Sequence, residues 1–401
     1  MKSKERMIVI ADDITGAAEI AGIAHAHGQQ ARLVCACPAD GESGSIYCDS
    51  IAVTTVIATD TRSMSEADAA AEIRRIASSF LISHFFDLKV QSDFVDYSFL
   101  IFKKTDSALR GHVVAELSAL MQTTGYQRAV YLPANPSKGR IIRDGVYYIK
   151  EVRGKGQEVR EVPIHETAFN YDPEFPAKTS VLKERFPDAE AKGIIMPDAE
   201  SEADIRKVIQ QYDDGKTIFA GAADLFSAIS PISPISPISP ISPIGLISPI
   251  SLILCGSTQS KPLDLGIPIA PMPREVYDGE QGADYWFQSL TSPLSAQASS
   301  PTKGPLSSLI LTIPHTHRTG KETAVHLRTV MAEMAQRLVS RHCPDHLIIE
   351  GGATAWATLQ ALGWTDFQIK RQIAPGVVQM SATNGTLVTL KPGSYSWGGL
   401  F

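Results

Sequence analysis

The stretch Lys103-Lys104-Thr105-Asp106-Ser107-Ala108-Leu109-Arg110-Gly111 packs two lysines, an arginine, a carboxylate and two hydroxyls into one short segment. That combination suits an anionic substrate. Arginine can grip a carboxylate or phosphate with two parallel hydrogen bonds, while lysine adds a compact positive charge. Asp106, set among cations, is expected to stay ionised, and it could accept a proton from a hydroxyl. The bland alternative is a capped helix, with Asp106 or Ser107 satisfying the first free amides and the cations solvated. Capping, however, needs only one such residue.

Other polar clusters share this setting. Asp12-Asp13-Ile14-Thr15-Gly16 offers carboxylates that could bind Mg²⁺ or sugar hydroxyls, or simply cap the helix that follows. Thr59-Asp60-Thr61-Arg62-Ser63 contributes Arg62, and the Pro/Gly-shaped segment Pro133 to Arg143 contributes Arg140 and Arg143, unless it is only a hairpin. Later in the chain, Gly256-Ser257-Thr258-Gln259-Ser260 leaves backbone amides free to cradle phosphate. Gly351-Gly352-Ala353-Thr354 would let backbone approach a phosphate, although tight packing explains such a turn as well. Gly376 and the run Lys391-Pro392-Gly393 give two more glycine turns; Lys391 could neutralise phosphate or be a solvated strand-end lysine.

Each cluster follows an apolar run with strand character. Met7 to Ala11, Ser50 to Thr55, Tyr97 to Phe102 and Ala129 to Leu132 read as strands, and Ala17 to His27, Glu66 to Phe80 and Val113 to Met121 have helical spacing. Polar strand ends on one parallel sheet face one crevice, which is where such folds bind ligands. Further on, strands at Gly193 to Met196 and Thr217 to Ala220 alternate with helices at Ser180 to Phe186 and Glu202 to Tyr212. After them come strands at Leu252 to Cys255, Leu309 to Ile313 and Asp345 to Glu350, with helices at Glu322 to Ser340 and Ala355 to Leu362. The pattern predicts an α/β protein of two domains, each a mainly parallel sheet flanked by helices, with an active-site cleft between them. Residues 1–228 form the first domain and 252–401 the second. Between them, 229–251 repeat Ile-Ser-Pro, a low-complexity linker or loop in which proline at every third position favours polyproline II.

At 401 residues the chain exceeds one ordinary core, and its 20% charged and 44% hydrophobic residues are globular in balance. A net charge of -6 argues against nucleic acid, and the run after Met7 is broken by Asp12-Asp13 too early for a signal peptide or membrane span. Cys35, Cys37, Cys48, Cys255 and Cys343 are odd in number without Cys-x-x-Cys spacing, which fits reduced thiols in a cytoplasm. The pairs His25/His27 and His315/His317 lack the spacing of a zinc site, and no P-loop or Gly-x-Gly-x-x-Gly motif occurs. Small molecules are the expected partners; an apolar sheet edge or helix face could support a homodimer.

Taken together, Ala11-Asp12-Asp13-Ile14-Thr15-Gly16-Ala17, Thr59-Asp60-Thr61-Arg62-Ser63, Lys104 to Gly111, Gly351-Gly352-Ala353-Thr354-Ala355 and Leu390-Lys391-Pro392-Gly393-Ser394 resemble the four-carbon acid sugar kinase family. The resemblance runs over nearly the whole chain with the motifs in family order. It implies an amino-terminal domain for the sugar acid, a carboxyl-terminal domain for ATP, and phosphorylation of D-threonate, D-erythronate or 3-oxo-tetronate at the terminal hydroxyl. By that resemblance Asp12, Arg62, Lys104, Thr105, Asp106 and Ser107 contact substrate. Ser257, Gly351, Gly352, Ala353, Thr354, Gly376 and Gly393 contact nucleotide. The ending around Lys391 to Trp397 leans toward the threonate members.

The resulting expectation is an ATP-dependent kinase. Arg62, Lys104 or Arg110 would hold the carboxylate, Asp13 would lie near sugar hydroxyls, and Asp106 or Asp12 would orient and deprotonate the terminal hydroxyl. Mg²⁺ bridging the β- and γ-phosphates, with Lys391 nearby, would neutralise charge. A sugar-phosphate phosphatase of the haloacid dehalogenase kind is a rival, but its nucleophile motif needs Asp-x-Asp and this chain has adjacent Asp12-Asp13. A non-catalytic sugar-acid sensor is another, and it leaves the glycine turns without a purpose.

Overall fold

A computed structural model describes residues 6–36, 54–90, 99–153, 158–172, 174–230, 250–257, 263, 265–291, 308–314 and 320–393. The contacts divide the chain into two units, Met1–Pro234 and Ile235–Phe401. The Ile-Ser-Pro repeats between 231 and 249 lie outside the described residues, as do Cys37, Cys48, His315, His317, Thr258 to Ser260 and Ser394 to Trp397.

The first unit holds β1 (Arg6–Ala11), α1 (Ile14–Ala26), β2 (Ala31–Cys35), β3 (Thr54–Ala58), α2 (Glu66–Val90), β4 (Phe99–Lys104), α3 (Val113–Thr124) and β5 (Arg128–Leu132). Then follow β6 (Arg140–Arg143), β7 (Val146–Arg153), β8 (Glu158–Pro163), α4 (Leu182–Arg185), β9 (Ile194–Ile195), α5 (Glu202–Tyr212), β10 (Thr217–Gly221) and α6 (Ala223–Ile229). Its main sheet runs β2-β3-β1-β4-β10-β5-β9, parallel throughout. Strands such as β1 are near-continuous apolar runs because helices cover both faces of the sheet. On one face α1 packs against α6, while α2 and α3 pack together. From β1 the chain moves outward to β2, and from β4 it moves the opposite way to β5. The switch point is therefore the gap between the carboxyl ends of β1 and β4, where a crevice must open. Asp12 and Asp106 lie at those two ends.

One boundary needs correcting here. Lys103 and Lys104 continue β4, both buried, so the turn opens at Thr105 and not at Lys103. In the segment after β5 the hairpin reading holds: β6 and β7 pair across Asp144-Gly145, and β8 joins them in a separate antiparallel sheet. Likewise, α5 has the bounds that its apolar spacing predicts; Ser201 caps it by accepting the amide of Asp204 at 3.3 Å.

The second unit contains β11 (Ser251–Cys255), β12 (Ile269–Pro271), α7 (Arg274–Tyr277), α8 (Ala283–Thr291), β13 (Leu309–Thr312) and α9 (Lys321–His342). It continues with β14 (His346–Glu350), α10 (Gly352–Leu362), β15 (Asp366–Ala374), β16 (Val377–Ala382) and β17 (Leu387–Lys391). The strands lie in the order β12-β13-β11-β14-β17-β16-β15, with β12 through β17 parallel and the last two pairings antiparallel. Here the switch point falls between β11 and β14. The chain leaves β11 toward β12 on one side, and leaves β14 through α10 toward β15 on the other, so the glycine turns at 256 and 351 flank the same gap. Each unit is thus a mainly parallel α/β sheet with its polar or glycine-rich turns at the switch point.

Candidate functional site

In the first unit three strand ends are locked together by charge. Arg62, just beyond β3, forks onto Asp12 beyond β1, with Nη2 to Oδ1 at 2.8 Å and Nε to Oδ2 at 3.1 Å. Its Nη1 donates to Asp13 Oδ2 at 3.1 Å, and Nη2 stands 3.8 Å from Asp106 Oδ1 beyond β4. Beneath this layer Lys103 pairs with the buried Glu116 of α3 at 2.7 Å, and Thr61 donates to the same carboxylate at 3.1 Å. The Arg62 turn is therefore fixed from below as well as from its own side chain. Asp13 has a second task as the cap of α1, accepting the Gly16 amide at 2.8 Å. A Cβ at Gly16 would come within 2.7 Å of that Asp13 oxygen, so only glycine fits.

Asp106 is gripped by Arg110, with Nη2 to Oδ1 at 2.8 Å and Nε to Oδ2 at 3.0 Å, and it also accepts the amides of Ala108 and Arg110 at 2.8 and 3.3 Å. Burial alone would raise its pKa. Arg110, Arg62 and Lys104 outweigh that and hold the carboxyl far below the ordinary carboxylate range. Asp13 behaves alike: burial opposes its charge, but Arg62 and Lys104 keep its pKa below the usual value. Both carboxylates remain anions at neutral pH and act as fixed hydrogen-bond acceptors. Gly111 closes the turn at a φ of 97°, and a Cβ there would stand 3.2 Å from Asp12 Oδ2.

Several partners come from elsewhere in the sequence. Lys104 donates to the Thr105 carbonyl at 2.9 Å and lies 3.8 Å from Glu19, which Lys138 also meets at 2.5 Å. Asp172 stands 3.7 Å from Arg110. Arg140 donates to the Ser107 hydroxyl, and Tyr147 donates to the Ser107 carbonyl. Arg143 does not join them; it is half exposed and pairs with Glu161 at 2.9 Å and with Glu200. Sequence reasoning missed Glu19 and Asp172, which no neighbouring motif marks, and passed over Lys138 and Tyr147 beside the Arg140 and Arg143 it singled out.

Among the described residues, the buried hydroxyls of Thr105 and Tyr131 have no hydrogen-bond partner. The Tyr131 ring meets Phe186 edge-on at 5.4 Å. An unpaired buried hydroxyl costs about 1–3 kcal/mol. Tyr131→Phe keeps the ring contact and removes the unpaired group, so the unliganded protein is expected to unfold at an unchanged or higher temperature. A clear fall in the thermal midpoint would show that the hydroxyl has a partner.

In the second unit the glycine turns converge at the carboxyl ends of the interior strands β11, β14 and β17. Gly351 donates to the Lys391 carbonyl at 2.9 Å, and Gly256 to the Glu350 carbonyl at 3.3 Å. A Cβ on Gly393 would fall 2.8 Å from the Cβ of Ser257, and one on Gly256 would overlap the buried Thr354 side chain. These glycines let the three turns approach to a distance that side chains forbid. Gly351 adopts a φ of 96° and precedes α10, whose first residues Gly352, Ala353 and Thr354 present a helix amino terminus. Pairing of Val378 with Leu390 brings the Gly376 hairpin to this end of the sheet too. A closely packed glycine cluster with a helix amino terminus fits the phosphates of a nucleotide. Lys391 is neither solvated nor open: it is fully buried and paired with Glu350 at 2.5 Å, so its charge is already met.

Residues 7–188 match the family model of a sugar-binding N-terminal domain, and residues 305–395 that of a nucleotide-binding C-terminal domain. A D-threonate kinase of Salmonella typhimurium is 28% identical over 159 residues, a stretch that covers 32% of this chain and 35% of that protein. The match thus spans about a third of that curated relative. Among solved structures, one from Salmonella typhimurium LT2 superposes with a TM-score of 0.67 at 19% identity, covering 97% of this chain and 96% of that one. A Haemophilus influenzae structure from a domain family of unknown function gives a TM-score of 0.60 at 19% identity, with 96% of each chain covered. Those two likenesses establish the shared fold. With both domain models matched in order on a fold of this kind, the chain belongs to the four-carbon acid sugar kinase family.

Proposed function

We propose that this chain transfers the γ-phosphoryl group of ATP to the terminal hydroxyl of a four-carbon sugar acid, with D-threonate favoured over D-erythronate and 3-oxo-tetronate. The observation that carries the reading is the strand-end constellation of Asp12, Arg62 and Asp106, set at the switch point of the unit that matches a sugar-binding domain. Asp12, Asp13, Arg62, Lys104, Thr105, Asp106, Ser107 and Arg110 are the proposed substrate contacts. Ser257, Gly351, Gly352, Ala353, Thr354, Gly376, Lys391 and Gly393 are the proposed nucleotide contacts, with Lys391 acting through the turn it anchors because Glu350 holds its ammonium.

Phosphoryl transfer depends mostly on positioning and charge neutralisation. Mg²⁺ entering with ATP would supply charge at the β- and γ-phosphates. The remaining work falls to the chain. Asp106, kept anionic by its arginines, accepts the hydrogen bond of the terminal hydroxyl and aims its oxygen; Asp12 is the alternative acceptor. Backbone amides of the glycine turns hold phosphate oxygens. Free thiols at Cys255 and Cys343 favour a reducing, cytoplasmic setting, and among the described residues no helix is long and apolar enough to cross a membrane. Ile269, exposed on the edge strand β12, is an apolar feature that a second copy in a homodimer could cover.

The test is ADP release from Mg-ATP with D-threonate, L-threonate, D-erythronate, 3-oxo-tetronates and longer sugar acids. Strong turnover with one four-carbon acid is expected. Silence across the panel, or phosphate release from sugar phosphates without ATP, would sink the reading.

A further inference from the structure

The cations around Asp106 are not equivalent. Arg62 is engaged by Asp12 and Asp13, Arg110 by Asp106, and Lys104 and Lys138 stand beside Glu19. An incoming carboxylate would have to displace a carboxylate already in place. Among the described residues Arg140 has no acidic group within ion-pairing distance. Arg185 shares that condition, but it donates to the carbonyls of Pro176, Leu109 and Phe175.

Arg140 is also held ready. Its backbone exchanges hydrogen bonds with the buried Asn135, at 2.8 and 3.1 Å, and Asn135 accepts the Asp224 amide at the start of α6 at 3.1 Å. Its guanidinium lies over the Phe169 ring at 5.7 Å and donates through Nη1 to Ser107, the residue next to Asp106. The opposite edge, Nε and Nη2, keeps the planar fork that matches a carboxylate. Stacking and a single hydrogen bond fix the group without neutralising it, so little conformational freedom remains to be lost when an anion docks.

We infer that Arg140 is the residue that grips the carboxylate of the sugar acid, and so sets the preference for an acid over a neutral polyol. This rests on the proposed kinase reading. It displaces Arg62, Lys104 and Arg110 from that task; they align Asp12 and keep Asp13 and Asp106 charged.

The test compares a four-carbon acid with the matching tetritol, in which the carboxylate becomes a hydroxymethyl group, in the wild type, Arg140→Gln and Arg140→Lys. Arg140→Gln retains an N–H for Ser107. It is expected to lower kcat/KM for the acid about 10–100-fold, the size of a lost charge-assisted contact, through KM. The rate with tetritol and the KM for ATP should hardly move, so the acid-to-tetritol ratio collapses. Arg140→Lys, with charge but no fork, should fall between. Calorimetric titration with the acid alone should give the same order of affinities, independently of phosphoryl transfer. An unchanged acid-to-tetritol ratio in Arg140→Gln overturns the assignment, and so does an equal loss for acid and tetritol, which marks a purely structural role. If the wild type neither binds nor phosphorylates any four-carbon acid, the kinase reading itself fails, and that shows before any variant is made.

Discussion

Asp106→Asn is expected to lower kcat by about 10²–10⁴-fold while leaving the KM for ATP nearly unchanged, the loss typical of a displaced acid–base or aligning group. The amide keeps the shape of the side chain and can still accept from the Ala108 amide. It loses the charge that Arg110 and Arg62 are built around. Two effects then act together: the acceptor for the terminal hydroxyl weakens, and two guanidinium groups are left to seek other anions. Because Arg110, Arg62 and Lys104 hold the Asp106 pKa far below its ordinary value, its ionisation puts no acidic limb on kcat/KM in the near-neutral range. Normal turnover in Asp106→Asn would move the aligning role to Asp12.

Arg62→Met should be strongly destabilising, costing about 3–5 kcal/mol, as for other buried pairs broken from one side. Methionine fills much of the volume but leaves Asp12 and Asp13 without their forked partner, and Asp12 is almost fully buried. The pH dependence has a definite sign. Asp13 and Asp106 have folded pKa values below their unfolded ones, so the stability they bring is complete above the usual carboxylate range and is lost as pH falls through it and below. Part of that stability comes from Arg62 and is absent in the variant. The gap between wild type and Arg62→Met should therefore be widest near neutral pH and narrow near pH ~4, where unfolded carboxylates begin to protonate. Denaturant unfolding at the two pH values measures it. A gap that widens in acid would mean that Arg62 does not carry the charge of these carboxylates.

Much of this was legible in the sequence because the clusters are contiguous. Asp12-Asp13, Arg62 and the Lys104 to Arg110 run each sit just past an apolar strand, and parallel pairing brings such positions to one edge automatically. The glycine turns at 256, 351 and 393 were legible for the same reason. The partners that tune the site were not. Glu19 lies on α1 and Lys138 closes a short 3₁₀ turn 119 residues away, and neither type nor spacing links them before the chain is folded. Lys103 stands in the sequence beside Lys104 as a cation for an anionic substrate; only the fold shows that it is buried and spent on Glu116 of α3, a pairing no local spacing announces. The strands β8 and β15 were also hidden. Glu-Val-Arg-Glu-Val and Gln-Ile-Lys-Arg-Gln-Ile place charges on both faces, which breaks the apolar alternation that marks a half-buried strand.

The buried pair of Glu350 and Lys391 has a further effect, on how the second sheet assembles. His346-Leu347-Ile348-Ile349 and Leu387-Val388-Thr389-Leu390 are largely apolar runs, with His346 Nε2 meeting Thr389 Oγ1 at 2.8 Å, and their apolar side chains distinguish weakly between neighbouring alignments of β14 and β17. The charges occupy the last position of each strand and face one another only when Glu350 is opposite Lys391. Sliding one strand past the other would strand both ions in an apolar layer at several kcal/mol apiece. The pair works as an alignment key: it makes misregistered sheets costly, and in doing so it fixes where the turns at Gly351 and Gly393 come to rest.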